Sequence, residues 1–149
     1  MSVNGIQVGG GLFGGESIPV MESLLRYTSQ RQLVLLNNVA NWNTPNFKAR
    51  DLSENDFQIA LSDAIERRES GDSPLGISTG RNISRSEDGS FRIEPRSVNS
   101  GIMRHDGNTV VIDQEQSKLL KNAMTAQIFN RLLARKYRSL RSAIAGRIT

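Results

Sequence analysis

Between Leu119 and Ile144 the chain carries Leu119, Ala123, Ala126, Asn130, Leu133, Tyr137, Leu140 and Ile144 on an unbroken 4-3 spacing, with Asn130 the single polar member. A strand would set every second residue on one face. Only a helix gathers this spacing into one stripe, and a stripe this narrow is a coiled-coil-like seam that needs a partner helix. No Gly or Pro interrupts it before Gly146. The spacing predicts a C-terminal helix over 113–146, with Asp113 as its cap and Gln116 reaching back.

A matching stripe lies near the other end. Ile18, Met21, Leu25, Thr28, Gln32, Leu35 and Val39 alternate three and four apart, and Ser17 followed by Pro19 suits a helix start because proline lacks the N–H that the first turn leaves unpaired. The helix is expected over 18–41 and should stop in an Asn-rich stretch closed by Pro45. Two narrow stripes in one chain predict an antiparallel pair. Asn130, polar within its seam, is the candidate for setting register.

The central region, 42–112, is less regular. Ser53 with Asp56 three residues on resembles a capping box, Phe57, Ala60, Leu61, Ala64 and Ile65 share a helical face, and Gly71 supplies a stop. Beyond it the chain is rich in Gly, Ser, Pro and Arg, with apolar islands at Phe91 and Ile93 that allow short strands. Asp106-Gly107 marks a turn before the β-branched run ahead of Asp113. The fold class is therefore mainly α: paired terminal helices, a short middle helix and an irregular, weakly β centre. Residues 1–17, dominated by Gly and small polar side chains, read as a flexible tail before a single domain of 18–149. With 37% hydrophobic and 5% aromatic residues, the core should be thin, and assembly with other subunits is expected to complete the terminal helices. Trp42 and Phe47 are expected to dock on the helix pair as anchors.

Charge is segregated. Residues 1–113 hold 11 Lys/Arg against 14 Asp/Glu, whereas 114–149 hold 8 against 1. Such asymmetry points to nucleic acid, a membrane surface or an acidic protein partner. Lys118, Lys121, Arg131, Arg135, Lys136, Arg138, Arg141 and Arg147 would suit a basic helix on phosphates, the alternative reading. No recognised DNA-binding motif surrounds them, so a solvated or partner-facing flank of the seam is preferred.

Chemistry finds little footing. No cysteine is present and His105 is the single histidine, so the residue sets of transition-metal sites are missing and the "RHDGN" string reads as a polar turn. The Gly-x-Gly-x-x-Gly match at 9–14 has only eight residues before it, too few for the strand that a dinucleotide site requires, and reads as linker. Glu54/Asp56 and Glu87/Asp88 sit in helix-start or loop contexts, where capping and solvation explain them. No catalytic residue, cofactor, metal or small-molecule substrate is expected. No run reaches the ~18 apolar residues of a membrane span, and the first residues lack the pattern of a cleaved signal.

Two stretches resemble a known family. In "NNVANWNTPNFK", Asn38, Val39, Ala40, Asn41, Thr44, Pro45, Phe47 and Lys48 are similar to the N-terminal signature of flagellar rod, hook and hook-associated proteins. In the C-terminal part, Asp106, Gly107, Asn108, Val110, Asp113, Glu115, Lys118, Leu119 and Gln127, with the "LLARKYRSLRSAI" ending, resemble the FlgB family of proximal rod proteins, and Ala49 to Phe57 suits that family better than FlgC. Departures are Trp42, Asn43, Val111, Gln116 and Asn46, the last standing where Gly is usual and expected to keep the left-handed turn.

The resemblance implies a non-enzymatic axial subunit in the basal-body rod, across the periplasm, exported by the flagellar type III apparatus. It also implies terminal helices that polymerise with copies of itself, FlgC, the distal rod, the ring adaptor FliE and the export gate. The assembly residues expected on that reading are Ile18, Met21, Leu25, Leu35, Val39, Leu119, Ala123, Ala126, Leu133, Tyr137, Leu140 and Ile144.

Overall fold

α1 (Ser17–Ala40) is the organising element of the computed structural model, which describes residues 17–71, 76–77, 82–86, 90–98 and 104–146. Successive residues of a helix turn by 100°, so the two buried sets on α1 fall on separate faces about 100° apart. One is the expected stripe, with Met21, Thr28 and Leu35 buried and Ile18, Leu25, Gln32 and Val39 half-buried. The other holds Val20 and Tyr27 buried, with Leu24 and Val34 packed beside them. The second face was hidden in the sequence by the polar residues between its members.

The expected stripe meets α3 (Ile112–Ile144). Asn38 Nδ2 donates to Glu115 Oε2 at 2.7 Å, Asn122 Nδ2 donates to the Thr28 carbonyl and to Gln32 Oε1 at 2.9 Å each, and Tyr137 Oη donates to Glu22 Oε1 at 2.8 Å. Rising numbers on α3 meet falling numbers on α1. The pair is antiparallel, as expected. Continuing the 38-to-115 register one for one places Ser17 opposite about residue 136, so 137–144 runs about 12 Å past the start of α1.

The start of α3 differs from expectation. The N-cap is Val111, with no side-chain capping bond, so Asp113 and Gln116 do not form the expected cap. Asp113 lies inside the first turn beside Glu115, where a carboxylate still favours the positive end of the helix dipole.

The second face of α1 carries the apolar core. α2 (Glu54–Glu69) opens as read, with Asp56 N–H donating to Ser53 Oγ at 3.1 Å, and its chain leaves through Gly71 at φ +80°. Phe57 stacks on Tyr27 at 4.3 Å between ring centroids and lies 5.8 Å from Phe91. Leu52, Ala60, Leu61, Ala64, Ile77, Ile83 and Ile93 complete the cluster.

Two small antiparallel sheets close it. β2 (Ile83–Arg85) pairs with β3 (Phe91–Ile93), and β1 (Arg50–Asp51) pairs with β4 (Arg96–Ser97). A strand edge leaves backbone groups to satisfy. Gln30 of α1 meets this need at β3, donating to the Phe91 carbonyl at 2.9 Å and accepting from Ile93 N–H at 3.0 Å. No helix among the described residues is long and apolar enough to cross a membrane.

Candidate assembly site

The sequence stretches around 38–48 and 104–110 lie far apart in the chain and close together in the fold. After α1 ends at Ala40, the carbonyls of Asn41, Trp42 and Thr44 all converge on one donor, Asn108 Nδ2, at 3.0, 3.1 and 2.8 Å. Asn108 Oδ1 accepts from Val110 N–H at 2.7 Å, so the fully buried amide uses both ends. Asn46 N–H donates to the Asp106 carbonyl, Thr109 N–H to the Phe47 carbonyl, Lys48 Nζ to the Gly107 carbonyl and Ala49 N–H to Thr109 Oγ1. The result is a clasp that fixes the exit of α1 against the entry of α3.

Backbone geometry explains two residue choices in the clasp. Asn46 has φ +59°, the left-handed conformation expected of it. Gly107 has φ +76°, and a Cβ there would sit 2.5 Å from Asn46 Oδ1. Only glycine gives the turn both its angle and its clearance.

Beneath the clasp lies a charged layer. Arg31 grips Asp51 with two nitrogens, at 2.8 and 2.9 Å, and also bonds Glu54. Lys118 bonds Glu115 at 2.7 Å and lies 3.8 Å from Asp51, while Lys121 lies 3.8 Å from Glu54. Burial opposes charge on Arg31, but the hydrogen bonds and attraction of Asp51 and Glu54 outweigh it and hold the guanidinium above its ordinary range. The layer links α1, the β1–α2 segment and α3. Asn38 completes it, donating to the Arg50 carbonyl as well as to Glu115.

Of the expected assembly residues, Met21 and Leu35 are buried, and Ile18, Leu25, Val39, Leu119, Ala123, Ala126 and Leu133 are half-buried. Tyr137, Leu140 and Ile144 are exposed on the overhang, Ile144 at 87%. The buried residues of α3 are Glu115 and Asn122, about 60° round the helix from the centre of the expected seam. Asn130 is exposed, whereas Asn122 bonds across the pair.

A further set on α3, Leu120, Met124, Ile128 and Leu132, is also exposed, as are Leu33 and Leu36 on α1. Its members stand four residues apart, and none of them belongs to the 4-3 stripe.

The motif residues divide by role. Asn38 and Asn108 are buried; Asn41, Phe47, Asp106 and Gly107 are half-buried; Ala40, Thr44, Pro45 and Lys48 are exposed. Trp42 does not dock on the helix pair. It is 47% exposed, its carbonyl is held by Asn108 and Arg104, and the Arg104 guanidinium lies 5.8 Å over its ring, so the clasp turns the indole outward. His105 is exposed in the turn before Asp106, and Glu54 opens α2 as read. The glycine string at 9–14 and Glu87/Asp88 lie outside the described residues, as does the tail read as 1–17 except for Ser17, which is buried at the start of α1.

No protein-family model matches the sequence. Individual relatives do. A flagellar basal body rod protein FlgB of Bacillus subtilis (strain 168) is 31% identical over 137 residues, covering 91% of this chain and 97% of the relative. The chain belongs to the FlgB family. The FlgB of Borrelia hermsii is 29% identical over 131 residues, spanning 86% of this chain and 95% of its own, and that of Aquifex aeolicus (strain VF5) is 29% identical over 139 residues, 91% and 97%. In this FlgB-family chain, residues 41–48 of the first stretch and 106–110 of the second form the two halves of the clasp.

Proposed function

We propose that this chain is a structural subunit of the flagellar basal-body rod. It polymerises through its terminal helices into part of the drive-shaft between the membrane ring with its export gate and the distal rod. The observation that carries the reading is the apolar surface left on the helix pair. Leu33, Leu36, Leu120, Met124, Ile128, Leu132, Tyr137, Leu140 and Ile144 are all exposed on α1 and α3. Leu120, Met124, Ile128 and Leu132 follow one another about a turn apart along α3, and an exposed apolar row of this kind marks an interaction face. The names of the relatives support the location in the rod.

On this reading the role is structural, and the neighbours are further copies, FlgC, the distal rod, FliE and the export gate. Export through the type III apparatus suits a chain whose terminal helices gain much of their packing from other subunits. The basic face of α3 then serves protein contacts, not nucleic acid.

Sedimentation of the purified chain alone and with the other rod proteins tests this. Association through apolar helix faces should persist between 50 and 500 mM salt (about a tenfold range), whereas a phosphate binder loses affinity steeply over it. A chain that binds duplex DNA in a salt-sensitive way, and ignores other rod subunits, would overturn the reading.

A further inference from the structure

Beside α1, on the side of its apolar core, α2 and α3 leave a groove of about 460 Å³ between them. Val20 and Leu24 of α1, Leu61 and Ile65 of α2 and Phe129 of α3 give it an apolar lining. The groove is open to solvent alongside the middle of α3. At the far end of the same helix, Tyr137, Leu140 and Ile144 form an exposed apolar stripe, which starts at Tyr137, whose hydroxyl bonds Glu22 of α1, and runs on past the start of α1. By helical position, Arg138 lies on the opposite face of that overhang, with Arg141 on its flank.

Resting on the reading of the chain as a polymerising rod subunit, we infer that the groove of one copy receives the α3 overhang of a second copy. The geometry excludes the same contact within one chain. α3 is one continuous helix from Ile112 to Ile144, so its end points away from the groove lined by its own middle. Apolar groove and apolar stripe can meet only between copies.

Charge supports the same occupant. α2 carries Glu54, Asp56, Asp63, Glu66 and Glu69 against Arg67 and Arg68, and its helical positions set Glu66 and Glu69 at the outer rim beyond Ile65. The overhang carries Arg138 and Arg141 and no acidic residue. With the stripe seated in the groove, Arg141 on its flank can face the acidic rim at Glu69, which favours one orientation. Each copy that fills a neighbour's groove keeps its own groove open for a third, a head-to-tail contact that extends instead of closing.

The chain has no cysteine, so two exposed positions can be labelled cleanly. Ser62→Cys on the groove rim of one copy is mixed with Ala143→Cys on the overhang of another, and a short bis-maleimide is added. Linked heterodimers should form in this mixture and be weak when Ser62→Cys is paired instead with Ser29→Cys. The charge reversal Arg141→Glu should weaken self-association by about threefold, and Glu69→Lys in the partner should restore it. Self-association that continues without the 62-to-143 link, and that ignores both charge reversals, would overturn the groove assignment while leaving the rod reading intact. A chain that associates neither with itself nor with other rod proteins would overturn both.

Discussion

Asn38 and Glu115, 77 positions apart, meet as a buried pair with 2.7 Å between amide nitrogen and carboxylate oxygen. The contact is where α1, the clasp and the charged layer join, because Asn38 also accepts from Arg50 N–H and Glu115 also holds Lys118. Asn38→Ala would leave the carboxylate short of a donor in a place that water does not reach. Hydrogen bonds to buried charges weigh more than neutral ones, so the expected loss is about 3 kcal/mol, read by urea unfolding. A loss under about 0.5 kcal/mol would mean that water or a side-chain shift replaces the bond.

The clasp predicts a different hierarchy. Asn108→Ala removes the single donor shared by three carbonyls and should cost about 2–4 kcal/mol. Asn108→Asp should be at least as damaging, since it sets a carboxylate against those carbonyls. Thermal unfolding of the two variants gives the order.

Gly107→Ala should cost about 2 kcal/mol through its left-handed φ and its 2.5 Å approach to Asn46 Oδ1. Part of that loss should return in the double variant with Asn46→Gly, which removes the clashing oxygen and suits the φ of +59°. Additive losses in the double-mutant cycle would show that the two residues do not collide.

Tyr27 supplies a pH signature. Burial pushes its phenol above the ordinary value, only partly opposed by Arg31, and its hydroxyl donates to the Leu52 carbonyl at 3.2 Å. A group whose pKa rises on folding contributes stability that is complete below its unfolded pKa, about 10 for tyrosine, and is lost as pH rises beyond it. Melting temperature should therefore fall more steeply above about pH 10 in the natural chain than in Tyr27→Phe. The variant should also be about 1 kcal/mol less stable at neutral pH. Parallel curves for the two proteins would remove the assigned role.

The antiparallel pairing and the three helices were legible because helical period, and at α2 the Ser53 cap, are local properties of sequence. Ser53, Gly71 and Asn46 behaved as their chemistry dictates. The rotation of α3 was not legible. An apolar stripe predicts which face is buried only when the interface is apolar, and here Asn122 and Glu115 occupy its centre by bonding Thr28, Gln32 and Asn38. The second buried face of α1 escaped for a related reason: Val20, Leu24 and Tyr27 are separated by residues that serve the other face. The size of Trp42 suggests burial, but Asn108 and Arg104 hold its backbone at the surface.

The central claim is that the apolar surface of the helix pair is filled by other subunits in the rod. Its most direct test is cysteine labelling at Leu36, Leu120 and Leu140, compared between the isolated chain and purified basal bodies containing the same variants. All three are exposed on the subunit, so each should react with a maleimide as fast as a surface control at Ser29. In basal bodies the account predicts that at least two of the three become protected by about tenfold or more, the protection that burial in a packed interface provides. Equal reactivity at all three positions in the isolated chain and in the basal body would contradict it.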